Sequence, residues 1–279
     1  MQKLRIVIPT DFSACSEEAI KYALLLAKES PSELFLLHFC AAGCTDGIVV
    51  DQSNYEVVNP VVKEIQSHFD AIEERFDFEE IPIHRVIVTG DIQKSIDSTA
   101  TAKRADLIIM GTHGVSGVKE WAIGSTTQKM IRQTGTPIIA VKECPSTLNL
   151  KELVFISDFN LEHKPSFKKF TQFAEQFNSK ITLLSIDTPA YFSEVPFITK
   201  RAMEEFSELY KGETKMEFAD GWTVEIGLEH YLEDNDVGLA CISTHGHKGL
   251  RGLFFTSIAE GIVNHMDYPV MVVNNSKQH

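Results

Sequence analysis

The apolar positions of this chain follow two alternating patterns from its first residues onwards. Short apolar runs, such as residues 4–9 and 34–39, have the length and composition of strands buried on both faces. Segment 13–29, between them, instead carries apolar residues at the 3.6-residue interval of a helix lying on a sheet. The alternation predicts the order β-α-β-α-β-α-β-α-β, an open parallel sheet with helices on both faces.

The rest of the first 150 residues continues the same alternation. The predicted elements are helices at 61–76, 92–103 and 125–134 and strands at 83–88, 107–110 and 137–141, with a polar, exposed excursion at 40–59. Each predicted strand is short and each helix has one apolar face, as an α/β domain requires.

The remainder of the chain repeats this order. Segment 153–158 matches 6–11 at an offset of 147 residues, whereas 242–246 matches 110–114 at an offset of 132. About 15 to 17 residues are therefore missing from the second copy, in the region that corresponds to the excursion. A repeat of this length indicates a tandem duplication.

The duplication predicts one domain at 1–146 and another at 147–279, called here the first half and the second half. The last strands of the two, at 137–141 and 269–273, are short, apolar and almost uncharged. An uncovered apolar edge strand invites pairing with another strand. If they are the edge strands of their sheets, we predict that these two strands pair antiparallel within the chain, as an intramolecular pseudo-dimer; a further homodimer stays open.

A glycine pattern follows the strand at 107–110. Gly111, Gly114, Gly124 and Ser125 fit the spacing Gly-x2-Gly-x9-Gly-Ser, in a strand–loop–helix setting. Glycines let the backbone approach a ligand closely, and the amide groups at a helix start attract anions. The pattern resembles the nucleotide-binding signature of the universal stress protein family, in its ATP-binding branch.

This resemblance implies a fold and a ligand. The fold would be two doubly wound five-stranded parallel sheets of order 3-2-1-4-5, the adenine-nucleotide alpha hydrolase-like (HUP) fold. The ligand would be ATP or another adenine nucleotide, in some states with Mg²⁺, bound where the first and fourth strands end. The nucleotide-binding residues would be Pro9, Thr10, Asp11, Phe39, Met110, Gly111, His113, Gly114, Gly124, Ser125 and Thr126.

By the same resemblance, the 9–11 turn and Phe39 would hold adenine and ribose, and 124–126 would hold the phosphates. Plainer interpretations stay open, since Asp11 or Ser125 would also suit a helix cap. A slow ATP hydrolase using His113 or Asp11 and a ligand-free interaction module are the alternative functions. No phosphate loop, nucleophile turn or zinc-protease motif is present, so an enzyme is not favoured.

The second copy of the motif is eroded. Ser243 and Thr256 stand where the first half has Gly111 and Gly124, and each adds a Cβ at the predicted phosphate site. Gly246, Ser257 and Asp158 keep the places of Gly114, Ser125 and Asp11, and a rim of His245, His247, Lys248 and Arg251 surrounds them. We expect this second site to be weak or vacant.

Composition and charge bear on the kinds of partner and on the cellular location that the chain is expected to have. The net charge of -13 argues against a nucleic-acid partner, which would need a basic face. No apolar run approaches the ~18 residues of a membrane span, which predicts no membrane partner. Five scattered cysteines with no CxxC pair suggest free thiols, no metal site and a cytoplasmic location.

Overall fold

The computed structural model of the chain describes residues 2–40, 50–51, 60–78, 80–112, 124–189, 196–244 and 249–275. The strands are β1 (Leu4–Thr10), β2 (Ser32–Phe39), β3 (Val50–Asp51), β4 (Ile83–Val88), β5 (Leu107–Gly111), β6 (Ile138–Val141), β7 (Glu152–Ile156), β8 (Lys180–Asp187), β9 (Thr214–Asp220), β10 (Leu239–Thr244) and β11 (Val270–Asn274). The helices are α1 (Ala14–Glu29), α2 (Pro60–Arg75), α3 (Ile92–Ala102), α4 (Ser125–Gln133), α5 (Lys164–Phe177), α6 (Pro196–Ser207), α7 (Val224–Asp234) and α8 (Gly249–His265). None of these helices combines the length and the hydropathy that a membrane span requires.

The strand order confirms the predicted topology. In the first half it is β4-β2-β1-β5-β6, which is 3-2-1-4-5 in terms of the five predicted strands. The second half has the same order in β9-β8-β7-β10-β11, and all neighbouring strands within these two sets are parallel. The chain is thus a repeated doubly wound α/β domain.

The two halves meet through their last strands. β6 and β11 pair antiparallel, with Ile139 opposite Met271 and Ala140 opposite Val270, as predicted. The pairing joins the halves into one sheet of eleven strands. Because the joint is antiparallel, the strands of the two halves run in opposite directions. The carboxyl ends of the first half's strands therefore lie on one side of the molecule along the strand direction, and those of the second half lie on the opposite side.

Side chains on either side of this joint hold it further. The Glu260 carboxylate accepts hydrogen bonds from Gln128 Nε2 at 2.8 Å and from Arg132 Nη2 at 2.8 Å. The Asn274 amide donates to the main-chain oxygens of Ile131 and Arg132, at 3.3 and 2.8 Å. Helix α4 of the first half is therefore bound to both β11 and α8 of the second.

One strand was not predicted. The segment expected to be an exposed excursion supplies β3, which pairs antiparallel with the outer strand β4. Only Val50 and Asp51 form it among the described residues. The second half lacks the corresponding stretch of sequence, so its outer strand β9 has no such cover among the described residues.

The core forms one layer on each face of the sheet. Ile6 and Ile8 of β1 face the layer covered by α1, α2, α5 and α6, whereas Val7 faces the layer covered by α3, α4, α7 and α8. This alternation follows from the two-residue period of a strand, and continuous apolar runs therefore serve both layers.

Candidate functional site

The candidate crevice lies beyond the carboxyl ends of β1 and β5. These neighbouring strands pair only at Ile6–Leu107 and Val7–Ile108. β1 nevertheless stays paired with β2 as far as Thr10, and β5 stays paired with β6 as far as Gly111. The last residues of β1 and β5 therefore separate from each other, at the point where the strand order reverses and α/β sheets bind ligands.

The turn after β1 is fixed by hydroxyl and carboxylate groups. Thr10 Oγ1 lies 3.0 Å from Ser16 Oγ and accepts a hydrogen bond from the Phe12 amide at 3.0 Å. Asp11 Oδ1 accepts from the amide of Ser13 at 3.1 Å and from its hydroxyl at 2.5 Å. Ser13, not Asp11, caps α1, so the capping interpretation of Asp11 is wrong.

Phe12 has an uncommon backbone conformation for a large side chain, with φ at 62°. Its ring stacks on His38 with centroids 4.4 Å apart and on His68 at 5.0 Å. Phe159, at the corresponding position of the second half, repeats the conformation with φ at 58°. A left-handed residue held by packing after the first strand is therefore a shared feature of both halves.

His38 is a crevice residue that the sequence analysis missed. Its Nδ1 donates to the main-chain oxygen of Thr10 at 2.9 Å, because a carbonyl can only accept. Burial lowers the pKa of His38 below its ordinary value, against the opposing effects of the Thr10 hydrogen bond and of Asp11. The imidazole is therefore neutral at neutral pH and can offer Nε2 as an acceptor.

Phe39, Pro9 and Met110, three of the predicted nucleotide-binding residues, differ in how far they are buried. Phe39 ends β2 opposite Val88 and packs half-buried against the core, and Pro9 is half-buried in β1. Met110 is only 4% exposed, and its side chain belongs to the core. Any contribution of Met110 to the crevice would therefore come from its main chain.

Gly111 is required by the packing of α1. A Cβ at this position would lie 2.5 Å from the main-chain oxygen of Cys15 and 2.7 Å from its Sγ. The Gly111 carbonyl accepts a hydrogen bond from Thr127 Oγ1 at 2.8 Å. The glycine thus lets the end of β5 approach the first turn of α1, a reason different from the ligand contact that the sequence suggested.

The predicted phosphate-binding segment starts α4. The Gly124 amide donates to the Thr112 carbonyl at 2.6 Å, which closes the loop between β5 and α4 at its base. Gly124 occupies the N-cap position and no side chain caps the helix within the described residues, so Ser125 and Thr126 are not caps. Within the described part of the chain, the first amide groups of α4 therefore keep their hydrogen-bonding capacity for a ligand.

Several predicted residues lie outside the described ones. They are His113 and Gly114 of the first motif, and His245, Gly246, His247 and Lys248 of the second. Their predicted roles stay predictions.

In the described residues of the second half, the corresponding strands stay paired further along their length. There β7 and β10 pair from Leu153–Leu239 as far as Ile156–Ile242, two residues further than β1 and β5 do. Beyond them, Ser243 Oγ lies 2.8 Å from Nδ1 of His163, whose side chain is 1% exposed.

A polar cluster around the buried His163 thus lies at this position in the second half. Nε2 of His163 lies 3.2 Å from Asp158 Oδ1, so one imidazole bridges the residues that correspond to Gly111 and Asp11. The arrangement is consistent with the eroded motif, and the weak or vacant second site remains a prediction.

The cysteines depart from expectation in one case. Cys15, Cys144 and Cys241 form no disulfide, whereas Cys40 is disulfide-bonded, so the expectation of free thiols is wrong for Cys40. Burial and the nearby Glu18 carboxylate raise the pKa of Cys144 to about 11. No group of three or more potential metal-ligating side chains occurs in the described part of the chain.

The sequence profile of the universal stress protein family matches residues 4–142 and again 151–274. The chain belongs to this family. Universal stress protein MJ0531 of Methanocaldococcus jannaschii is 31% identical over 140 residues, covering 50% of this chain and 82% of that protein. YxiE of Bacillus subtilis, also a universal stress protein, is 27% identical over 145 residues, covering 50% and 98%. Each relative therefore corresponds to about half of this tandem chain.

A solved structure matches the whole chain. A universal stress protein from Archaeoglobus fulgidus superposes with a TM-score of 0.73 at 14% identity, covering 99% of this chain and 100% of that one. At this identity the likeness establishes the fold. The tandem universal stress protein thus has a fold already seen in its family.

Proposed function

We propose that the first half of this tandem universal stress protein binds an adenine nucleotide, ATP or another, as a signal-responsive ligand. The observation that carries the proposal is the early separation of β1 and β5, which occurs in the first half and not in the second. The carboxyl ends of β1 and β5 are the usual ligand position of an α/β sheet, and α4 begins after β5 with no side-chain cap among the described residues.

The start of α4 is the proposed phosphate site. A helix amino terminus carries about half a positive charge, and its first amide groups have no partner inside the helix. The hydroxyls of Ser125 and Thr126, which are exposed and half-buried respectively, add donors at the same place. A local site of this kind can bind an anion although the whole chain carries a net charge of -13.

Adenine and ribose are proposed to lie toward the 9–11 turn and Phe39. The neutral imidazole of His38 joins this group, since it contacts Thr10 directly. The described residues offer one carboxylate here, Asp11, and no metal-binding cluster. Mg²⁺ would therefore be held mainly by the phosphates of the nucleotide, which is how this ion is usually bound.

The substitution Gly124→Val tests the proposal. A branched side chain at the N-cap would stand against the phosphates and weaken ATP binding by about tenfold or more, about 1.4 kcal/mol. The matched control is Thr256→Val, which makes the same change at the aligned position of the second half and should leave binding unaltered. Isothermal titration calorimetry measures both, together with the expected stoichiometry of about one nucleotide per chain.

Two results would contradict the proposal. One is unchanged ATP affinity in a Gly124→Val protein whose circular dichroism and thermal unfolding match the parent. The other is a pair of equal, independent sites in the parent, because the second half would then bind as well as the first.

A further inference from the structure

The outer strand of the second half has an open edge. β9 pairs with β8 along its whole length, from Thr214 to Asp220, and in the described part of the chain no strand pairs with its other side. In the first half the corresponding strand, β4, is covered by the antiparallel strand β3. The stretch of sequence that provides this cover in the first half is missing from the second half, so within the described residues one side of β9 has a row of unpaired main-chain groups.

Exposed apolar side chains gather at the same end of the molecule. Seven large apolar side chains are exposed in the described residues, and four of them lie on α6, on β9 or in the turn after β9. They are Phe197, Ile198, Phe218 and Trp222. Phe218 is 51% exposed and shares a face of β9 with Met216, which packs against the core layer of α6. The apolar residues of α6 and β9 thus lie on one face of the sheet.

We propose that β9 joins two copies of this chain, strand against strand and antiparallel, about a twofold axis through Met216. Such a pairing places Lys215 opposite the partner's Glu217, and Glu217 opposite the partner's Lys215. Opposite charges directly across an antiparallel pair stabilise it, and like charges destabilise it. Both side chains lie on one face of β9, where they already form an ion pair within the chain.

The charges favour this register over its neighbours. Moving the axis to Lys215 would place the two Lys215 side chains opposite each other and Glu217 opposite the partner's Glu213. Moving it to Glu217 would set the two Glu217 carboxylates against each other. The sequence of β9 is therefore complementary to itself in the register centred on Met216.

The twofold axis also covers Phe218. It brings the same face of both sheets to the same side, and in the register centred on Met216 each Phe218 lies opposite Thr214 of the partner copy. A symmetric contact of this kind uses one surface patch twice. Pairing would cover the edge of β9 as β3 covers the edge of β4, and the dimer would contain one continuous sheet.

Sedimentation velocity of the full chain, from about 1 to 100 μM, tests the dimer. Lys215→Glu places a carboxylate opposite the partner's Glu217 on each side of the twofold axis. These two repulsive pairs should weaken dimerisation about tenfold. The double variant Lys215→Glu with Glu217→Lys should restore it, because both charges are exchanged. Tyr231→Phe is the control for the hydrogen bond that Tyr231 donates to Glu217, and should leave the dimer intact.

A second pair of variants probes the apolar face. Phe218→Asp should abolish the dimer at all concentrations tested, whereas Val61→Asp, at an exposed apolar position of the first half, should not. Thermal unfolding of each variant separates loss of association from loss of folding. A chain that stays monomeric throughout would overturn the proposal. So would a dimer that survives Phe218→Asp, or one that the double charge exchange fails to restore.

Discussion

The substitution Gly111→Ala adds one methyl group where β5 meets the first turn of α1. The new carbon would lie 2.5 Å from the main-chain oxygen of Cys15 and 2.7 Å from its sulfur. The sulfur can rotate away, but the carbonyl can move only if the start of α1 moves with it. Overpacking of this kind costs about 1–3 kcal/mol, so we expect a loss of about 2 kcal/mol in the free energy of unfolding.

Urea unfolding at constant temperature measures this loss, provided that the slope against urea concentration is unchanged. The double variant Gly111→Ala with Cys15→Ala removes the contact with the sulfur and keeps the contact with the carbonyl. It should therefore recover part of the loss and not all of it. In the second half, Ser243→Ala removes a hydroxyl and adds no atom, so it should lose only the hydrogen bond to His163, about 1 kcal/mol.

The reasoning would be refuted by a Gly111→Ala protein as stable as the parent. It would be refuted equally by full recovery in the double variant, because the main-chain contact would then have no effect. Either result would mean that β5 and α1 can separate freely, and the glycine would have to be explained by the ligand instead.

Two further predictions concern charged groups. The pKa of Glu33 is below its ordinary 4.5: burial raises it, but hydrogen bonding to His84 and the nearby cations lower it by more. Glu33→Gln should therefore reduce the free energy of unfolding most above about pH 4.5, and the difference from the parent should shrink as the pH falls below that value. Acid unfolding curves of both proteins measure this difference. Glu260→Gln should lower the free energy of unfolding by about 1 kcal/mol, a small value because Arg132, its ion-pair partner, is exposed to solvent. Urea unfolding measures this difference from the parent, and high salt should reduce it.

Much of the fold could be predicted because its signals are local. The apolar runs of β1, β5 and β6 and the spaced apolar residues of α1 have a period that burial on a sheet requires. The pairing of β6 with β11 could be predicted because the strand order implied by the family resemblance makes these two short, uncharged strands edge strands, which need cover. β3 could not, since two residues within a polar stretch carry no periodic signal.

The sequence indicated where α4 begins, but it did not reveal the contacts around the candidate site. Glycine spacing indicated the start of α4, but it could not reveal that Gly111 makes room for Cys15, because that contact joins residues far apart in sequence. The left-handed Phe12 is held by packing against His38, and no local pattern favours that conformation. The bridge from His163 to Ser243 likewise depends on tertiary placement, although the change from glycine to serine was a usable signal.

The antiparallel joint of β6 and β11 has a consequence for how the protein responds to its own abundance. Two separate domains joined through this edge would dissociate on dilution and exchange partners, because their association depends on concentration. Within one chain the neighbour is always present, at the millimolar effective concentration that a short tether provides. The first half therefore keeps the same partner at every expression level, and the second half is free to diverge without being replaced by another copy.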